Sequence, residues 1–300
     1  MKESEKKISP IKARTLFLSL AATAYFVFVL FSHEWVSLLY LKIFNQFGRS
    51  TMEASMHLGT LLMGIAVIAG CLFILKQKKS LNVQILLLWV SMVALIIFAD
   101  IFLIVTNIER IHYIQYAFLS ILIRMIILDN YFALFLTVLA GVLDELFQYV
   151  WAPEYTRYLD FNDFVLNLLG GLFGILLYLT FVSKERLINR YMTKAKVSVY
   201  VALGLVLGAV WLGIWGGRII SYDPQESEFS VIREINGRKV FVLSFVQYPA
   251  FWTLTDYGRR YHILSPLEGT ALLGILLLGY KFLLGGRLQH GRRNSGRVGS

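Results

Sequence analysis

The sequence predicts an all-α, polytopic helical membrane protein with about eight transmembrane helices and one small external β-hairpin loop. Three observations carry this expectation. Hydrophobic residues make up 57% of the 300-residue chain and charged residues only 16%, where a soluble domain has about 25% charged. Several apolar runs reach roughly 18–20 residues, enough to cross a hydrocarbon core of about 30 Å. None of these runs alternates with the period of a strand, which argues against a β-barrel.

The elements follow in order. A basic start, residues 1–14, precedes an apolar run at 15–31. That run is too long for a signal-peptide core and lacks a small-residue cleavage site, so it reads as an uncleaved first span. Further spans are expected at 58–75, 83–105, 113–128, 130–150, 162–182, 197–217 and 266–284, with the fourth and fifth split at Asp129–Asn130. Residues 33–57 mix apolar and polar side chains and suggest a helix lying at the membrane interface. The loop 218–265 holds two β-prone runs around Asn236–Gly237, a dipeptide that favours a type I′ hairpin turn. These elements divide the chain into 1–84, a central four-helix unit at 85–182, and 183–300.

Charge sets the orientation. With both termini in the cytoplasm, cytoplasmic segments carry eighteen Lys and Arg residues and the short external loops four, the asymmetry of the positive-inside rule. The net charge of +10 is concentrated beside the spans, so it signals topology and contact with anionic lipid rather than nucleic acid. Cys71 is the one cysteine and stands in an apolar run; it allows no intramolecular disulfide and reads as a packing residue.

One stretch breaks the apolar pattern. Residues 144–167 gather polar groups between two hydrophobic helices. Glu145 and Gln148 share a helical face near the outer end of the fifth span, with Asp144 beside them. Arg157 follows in the turn. Asp160, Asp163, Asn167, Gly170, Gly171 and Gly174 then form one stripe along the sixth span, with Asp160 at the N-cap position. His112 and Gln115 lie one turn apart at the outer end of the fourth span, and Asp100 in the outer half of the third. Carboxylates at membrane depth are costly unless paired or facing a wet cavity, so these groups are expected to converge on an outward-facing pocket.

Each feature also has a plain structural reading. Arg157 with Asp160 or Asp163 is as readily a charge pair that fixes the turn, and the glycines are more simply helix-packing contacts. A divalent cation on Glu145, Asp160, Asp163 and His112 is chemically feasible. Arg157 competes for the same carboxylates, however, and no dense metal motif, P-loop, nucleophile elbow or zinc-protease motif is present. No metal and no cofactor are therefore expected.

The ordered set His112, Gln115, "DELFQ" at 144–148, "RYLDFND" at 157–163 and "NLLGG" at 167–171 resembles the VanZ-like membrane family over about residues 85–182. The motif positions fall on Glu145, Gln148, Arg157, Asp160, Asp163 and Asn167. The resemblance implies a multi-pass protein of the bacterial plasma membrane and a link to glycopeptide resistance, notably to teicoplanin. Its partners would be membrane lipids and a lipid-linked cell-envelope precursor or the glycopeptide. Three roles stay open: a binding or resistance factor, an intramembrane enzyme with Glu145 or Asp163 as base and Arg157 as electrostatic stabiliser, and a proton-coupled carrier. The apolar inner halves of the fifth and sixth spans weigh against the carrier.

Overall fold

The computed structural model describes residues 10–78, 83–127, 129–151, 158–182, 191–222, 230–245, 250–255 and 259–285. Arg157 lies outside the described residues. Eight α-helices are found among them: α1 Pro10–Phe47, α2 Arg49–Gln77, α3 Val83–Phe102, α4 Ile111–Ile126, α5 Asn130–Trp151, α6 Phe161–Phe181, α7 Tyr191–Trp215 and α8 Pro266–Gly285. All except α4 are long and apolar enough to cross a membrane. α4 has only 16 residues.

Residues 33–57 do not form a separate interfacial helix. No glycine or proline interrupts the chain between 33 and 47, so α1 continues for 38 residues, about 57 Å at 1.5 Å per residue. It ends at Gly48, whose φ of 76° suits a residue without a side chain, and α2 starts at once. α3 stops at Phe102 rather than 105. There the Glu109 carboxylate accepts from the backbone N–H groups of Val105 and Thr106, at 2.8 and 2.9 Å, and nucleates a 3-10 turn at Asn107–Arg110.

α6 is the central helix, with 72% of its apolar window buried, while the window of α7 has none. The cause is the glycine stripe. A Cβ at Gly170 would stand 2.7 Å from the His112 carbonyl oxygen, and one at Gly174 would stand 2.1 Å from that of Ala117. α4 therefore rests backbone-close on α6. Gly171 makes the same allowance for Thr137 of α5 at 2.9 Å.

The two ends of the bundle differ in charge. At one end Lys78 donates to the Thr180 and Phe181 carbonyls at 3.1 and 2.9 Å, placing a cation at the C-terminus of α6. Buried Arg124 lies 4.9 Å from the Tyr178 ring and donates to the Ile127 carbonyl, and Lys196 pairs with Asp129. At the other end stand Asp100, Glu109, Asp144, Glu145, Asp160 and Asp163.

Small sheets cover the acidic end. In one, β1 (Ile219–Tyr222) pairs parallel with β3 (Arg238–Ser244), and β2 (Ile232–Ile235) pairs antiparallel with β3. Asn236 and Gly237, both at positive φ, turn β2 into β3. The Tyr149 hydroxyl of α5 donates to the Val242 carbonyl at 2.7 Å and accepts from the Ser244 N–H at 2.9 Å, seating this sheet on the bundle. A second ribbon pairs β4 (Thr253–Leu254) with β5 (Arg260–Tyr261). Asn162 ties the start of α6 to its surroundings through the Leu103 and His262 carbonyls and the Leu264 N–H, each at 2.9 Å.

Candidate functional site

The site begins with the N-cap of α6. Asp160 is extended, and its Oδ1 accepts from the Asn162 N–H at 2.8 Å. One turn on, Asp163 faces α4, and Asn167 follows one turn deeper. Gly170 lets the His112 backbone approach α6, and Gly141 of α5 leaves room for the Asn167 side chain, which a Cβ there would meet at 2.8 Å. Asn167 is thus held between two helices. Its Oδ1 lies 2.8 Å from His112 Nδ1, and its Nδ2 donates to Glu145 Oε1 at 3.4 Å.

This bridge fixes the chemistry of His112. An amide oxygen only accepts, so His112 Nδ1 donates, and in the neutral ring Nε2 keeps its lone pair. Nε2 lies 3.7 Å from Asp163 Oδ1, which is buried with no hydrogen-bond partner. Two acceptors thus face each other, a geometry that calls for a proton or a cation between them. The ligand atoms of His112, Glu145 and Asp163 all lie within 4.8 Å of one another.

A second acid–histidine pair adjoins the first. Asp144, fully buried, accepts from the Tyr116 hydroxyl at 2.7 Å and pairs with His33 of α1, whose Nε2 is 3.0 Å from Asp144 Oδ2. The His33 and His112 rings are 5.6 Å apart. At the rim, burial and the neighbouring Asp160 charge push Glu109 up to about 7, and burial pushes Asp160 up to about 6 against two backbone N–H donors. No Lys or Arg side chain among the described residues forms an ion pair with Glu109, Glu145, Asp160 or Asp163.

The expected residues separate as follows. His112, Glu145, Asp163 and Asn167 meet directly, and Asp160 caps the helix beside them. Gln148 makes no bond to this group, and its Nε2 is buried without a partner. Gln115 faces α1 instead, donating to Ser32 Oγ at 3.3 Å. Asp100 pairs instead with Arg110 at 2.6 Å and lies 3.7 Å from His57 of α2. Sequence reasoning missed His33, Tyr116 and Glu109. The Thr106-x-x-Glu109 spacing of a capping box was a signal for the last; nothing local marks the other two.

Comparisons with protein-family models, with curated proteins and with solved structures find no match to this chain.

Proposed function

We propose that this chain is a VanZ-like integral membrane protein of the bacterial cell envelope. Its chamber, a largely buried cluster of the side chains of His33, His112, Asp144, Glu145, Asp163 and Asn167, engages the polar part of a lipid-linked or lipophilic envelope molecule, with glycopeptide resistance as the phenotype. The observation that carries the reading is unspent hydrogen-bonding capacity. Asp144 Oδ1 and Asp163 Oδ1 are both buried without partners, whereas most buried polar atoms in folded proteins are satisfied. Seven long spans, with the 16-residue α4 as a short eighth pass, and both termini cytoplasmic complete the reading. That orientation sets the end bearing Lys78, Arg124 and Lys196 inside and turns the acidic chamber outward.

The test uses cells expressing the full chain. Expression should raise teicoplanin resistance, and Glu145→Gln or Asp163→Asn should abolish the gain at unchanged levels of membrane-inserted protein. Full resistance in both variants would refute the role of the chamber.

A second reading, an intramembrane enzyme, is favoured by the His112–Glu145–Asp163 triangle. One nitrogen and two carboxylate oxygens suit a borderline or hard divalent cation such as Mn2+. Such an ion would supply Lewis acidity toward a phosphate or carbonyl oxygen. Calorimetric titration of the purified chain with Mn2+ decides between the two: saturable binding that Asp163→Asn removes favours the enzyme, and no binding excludes this metal site.

A further inference from the structure

A second site lies on the opposite face of α4. The part of α1 from Val36 onward, together with α2, α3 and the start of α4, lines a groove of about 1100 Å3, slightly above the roughly 300–1,000 Å3 of small-molecule sites. Its walls are apolar along most of their length, with Val36, Met56, Leu61, Ile96 and Ile114 among them. One end is different. Asn107, Arg110 and Tyr113 line it, each more than nine-tenths buried, and each has a polar atom without a partner: Asn107 Oδ1, Arg110 Nη1 and the Tyr113 hydroxyl.

The rest of these side chains is committed, which fixes what the free atoms face. Arg110 Nε donates to Asp100 Oδ1 at 2.7 Å and Nη2 lies 2.9 Å from His57 Nδ1, so only Nη1 is unspent. Asn107 Nδ2 donates to the Glu53 backbone carbonyl at 2.8 Å and to its carboxylate. The same end opens into a polar cleft of about 450 Å3 bordered by Glu53, His57, Asp100, Arg259 and Arg260. His57, Asp100, Ile101 and Asn107 border both spaces, making them continuous. Around this mouth three arginines face two carboxylates, and Arg260 has no ion pair among the described residues.

We propose that this groove binds one anionic phospholipid of the surrounding bilayer, with its acyl chains between α1/α2 and α3/α4 and its phosphate at Arg110, Arg259 and Arg260. An apolar trough in a membrane protein fills with acyl chain at little cost. A guanidinium nitrogen left unpaired in that setting is expensive, and a phosphate oxygen is the acceptor whose charge and geometry suit it. Excess positive charge at the mouth selects an anionic over a zwitterionic head. The proposal uses no chamber residue and stands independently of the function proposed above.

Native mass spectrometry of the full chain in neutral detergent tests this, with phosphatidylglycerol and phosphatidylcholine as probes. One phosphatidylglycerol should be retained per chain, in clear preference to phosphatidylcholine. Arg110→Gln should weaken retention about tenfold or more, the loss of one charge-assisted bond. Since Arg110 also holds Asp100, two milder variants keep the test decisive. Gly64→Trp, at a groove-lining position with nothing within 4 Å of its Cβ, should block the chains, and Arg260→Ala should reduce the preference for the anionic head. Equal retention of both lipids, or retention unaltered by Gly64→Trp and Arg260→Ala together, would overturn the proposal. So would a lipid-free dimer that Gly64→Trp dissociates, because a second copy of the chain would then fill the groove.

Discussion

A methyl group at Gly174 should separate α4 from α6 and disturb the chamber one to two turns away. The added Cβ would stand 2.1 Å from the Ala117 carbonyl oxygen and from Ser120 Oγ, where ordinary contact begins at 3.4 Å. The Ser120 hydroxyl can rotate away, but the Ala117 carbonyl is helix backbone and cannot. Restoring contact distance needs a local separation of roughly 1.3 Å. If α4 moves as a body, His112 Nδ1 leaves Asn167 Oδ1, now 2.8 Å away, for a distance near 4 Å, outside hydrogen-bond range. Overpacking costs about 1–3 kcal/mol and the lost bond about 1, so Gly174→Ala should destabilise by roughly 2–4 kcal/mol. The assay is reversible unfolding of the purified chain in detergent–denaturant mixtures. Gly204→Ala in α7 and Gly274→Ala in α8, each with open space at the Cβ, serve as controls and should be neutral or stabilising by up to about 1 kcal/mol. A Gly174→Ala protein as stable as the Gly204→Ala control would refute the backbone-close packing of α4 on α6.

Two further predictions concern the acidic end. Glu109 is held up to about 7 against an ordinary 4.5, so the folded chain keeps a proton that the unfolded chain releases between those values. Stability is then greatest on the acid side and falls as pH rises through about 7. The melting temperature should decline from about pH 5 to pH 8, and Glu109→Gln should flatten the profile; an unchanged slope in the variant would sink the assignment. Tyr149→Phe removes the donor to Val242 and the acceptor for Ser244, at a cost of about 1–3 kcal/mol. It should speed proteolytic cleavage within 230–245 while the helices stay protected, and an unchanged cleavage rate would show that the sheet is held by something else.

Helices and polar residues were legible in the sequence to different degrees, for physical reasons. Runs such as 130–150 and 266–284 announced α5 and α8 almost to the residue, because lipid demands unbroken apolar length. The stripe from Asp160 to Gly174 was legible because one helical face carries both the polar groups and the glycines that seat it. α1 was misjudged because scattered polar residues at 33–57 resemble an interfacial pattern, yet only Gly48 has the backbone freedom to end the helix. The partnership of His33 with Asp144 spans 111 positions and leaves no local trace. The groove was invisible for a different reason: an apolar side chain facing it and one facing bulk lipid obey the same compositional rule.

What joins the two polar sites is the start of α4 with the 3-10 turn that leads into it. Arg110 and Tyr113 face the groove, while His112 and Tyr116 face the chamber. Gly170 then clamps the His112 backbone against α6. This arrangement decides how mutations here must be interpreted. A change at Arg110 acts on the helix start that also positions His112, so loss of a chamber phenotype in that variant alone does not place the ligand in the chamber. Gly64→Trp touches the groove only, and Asp163→Asn the chamber only. If both abolish the same phenotype, one molecule must span the two sites around the start of α4. If only Asp163→Asn does so, the groove lipid is a structural cofactor of the bundle and the chamber has a ligand of its own.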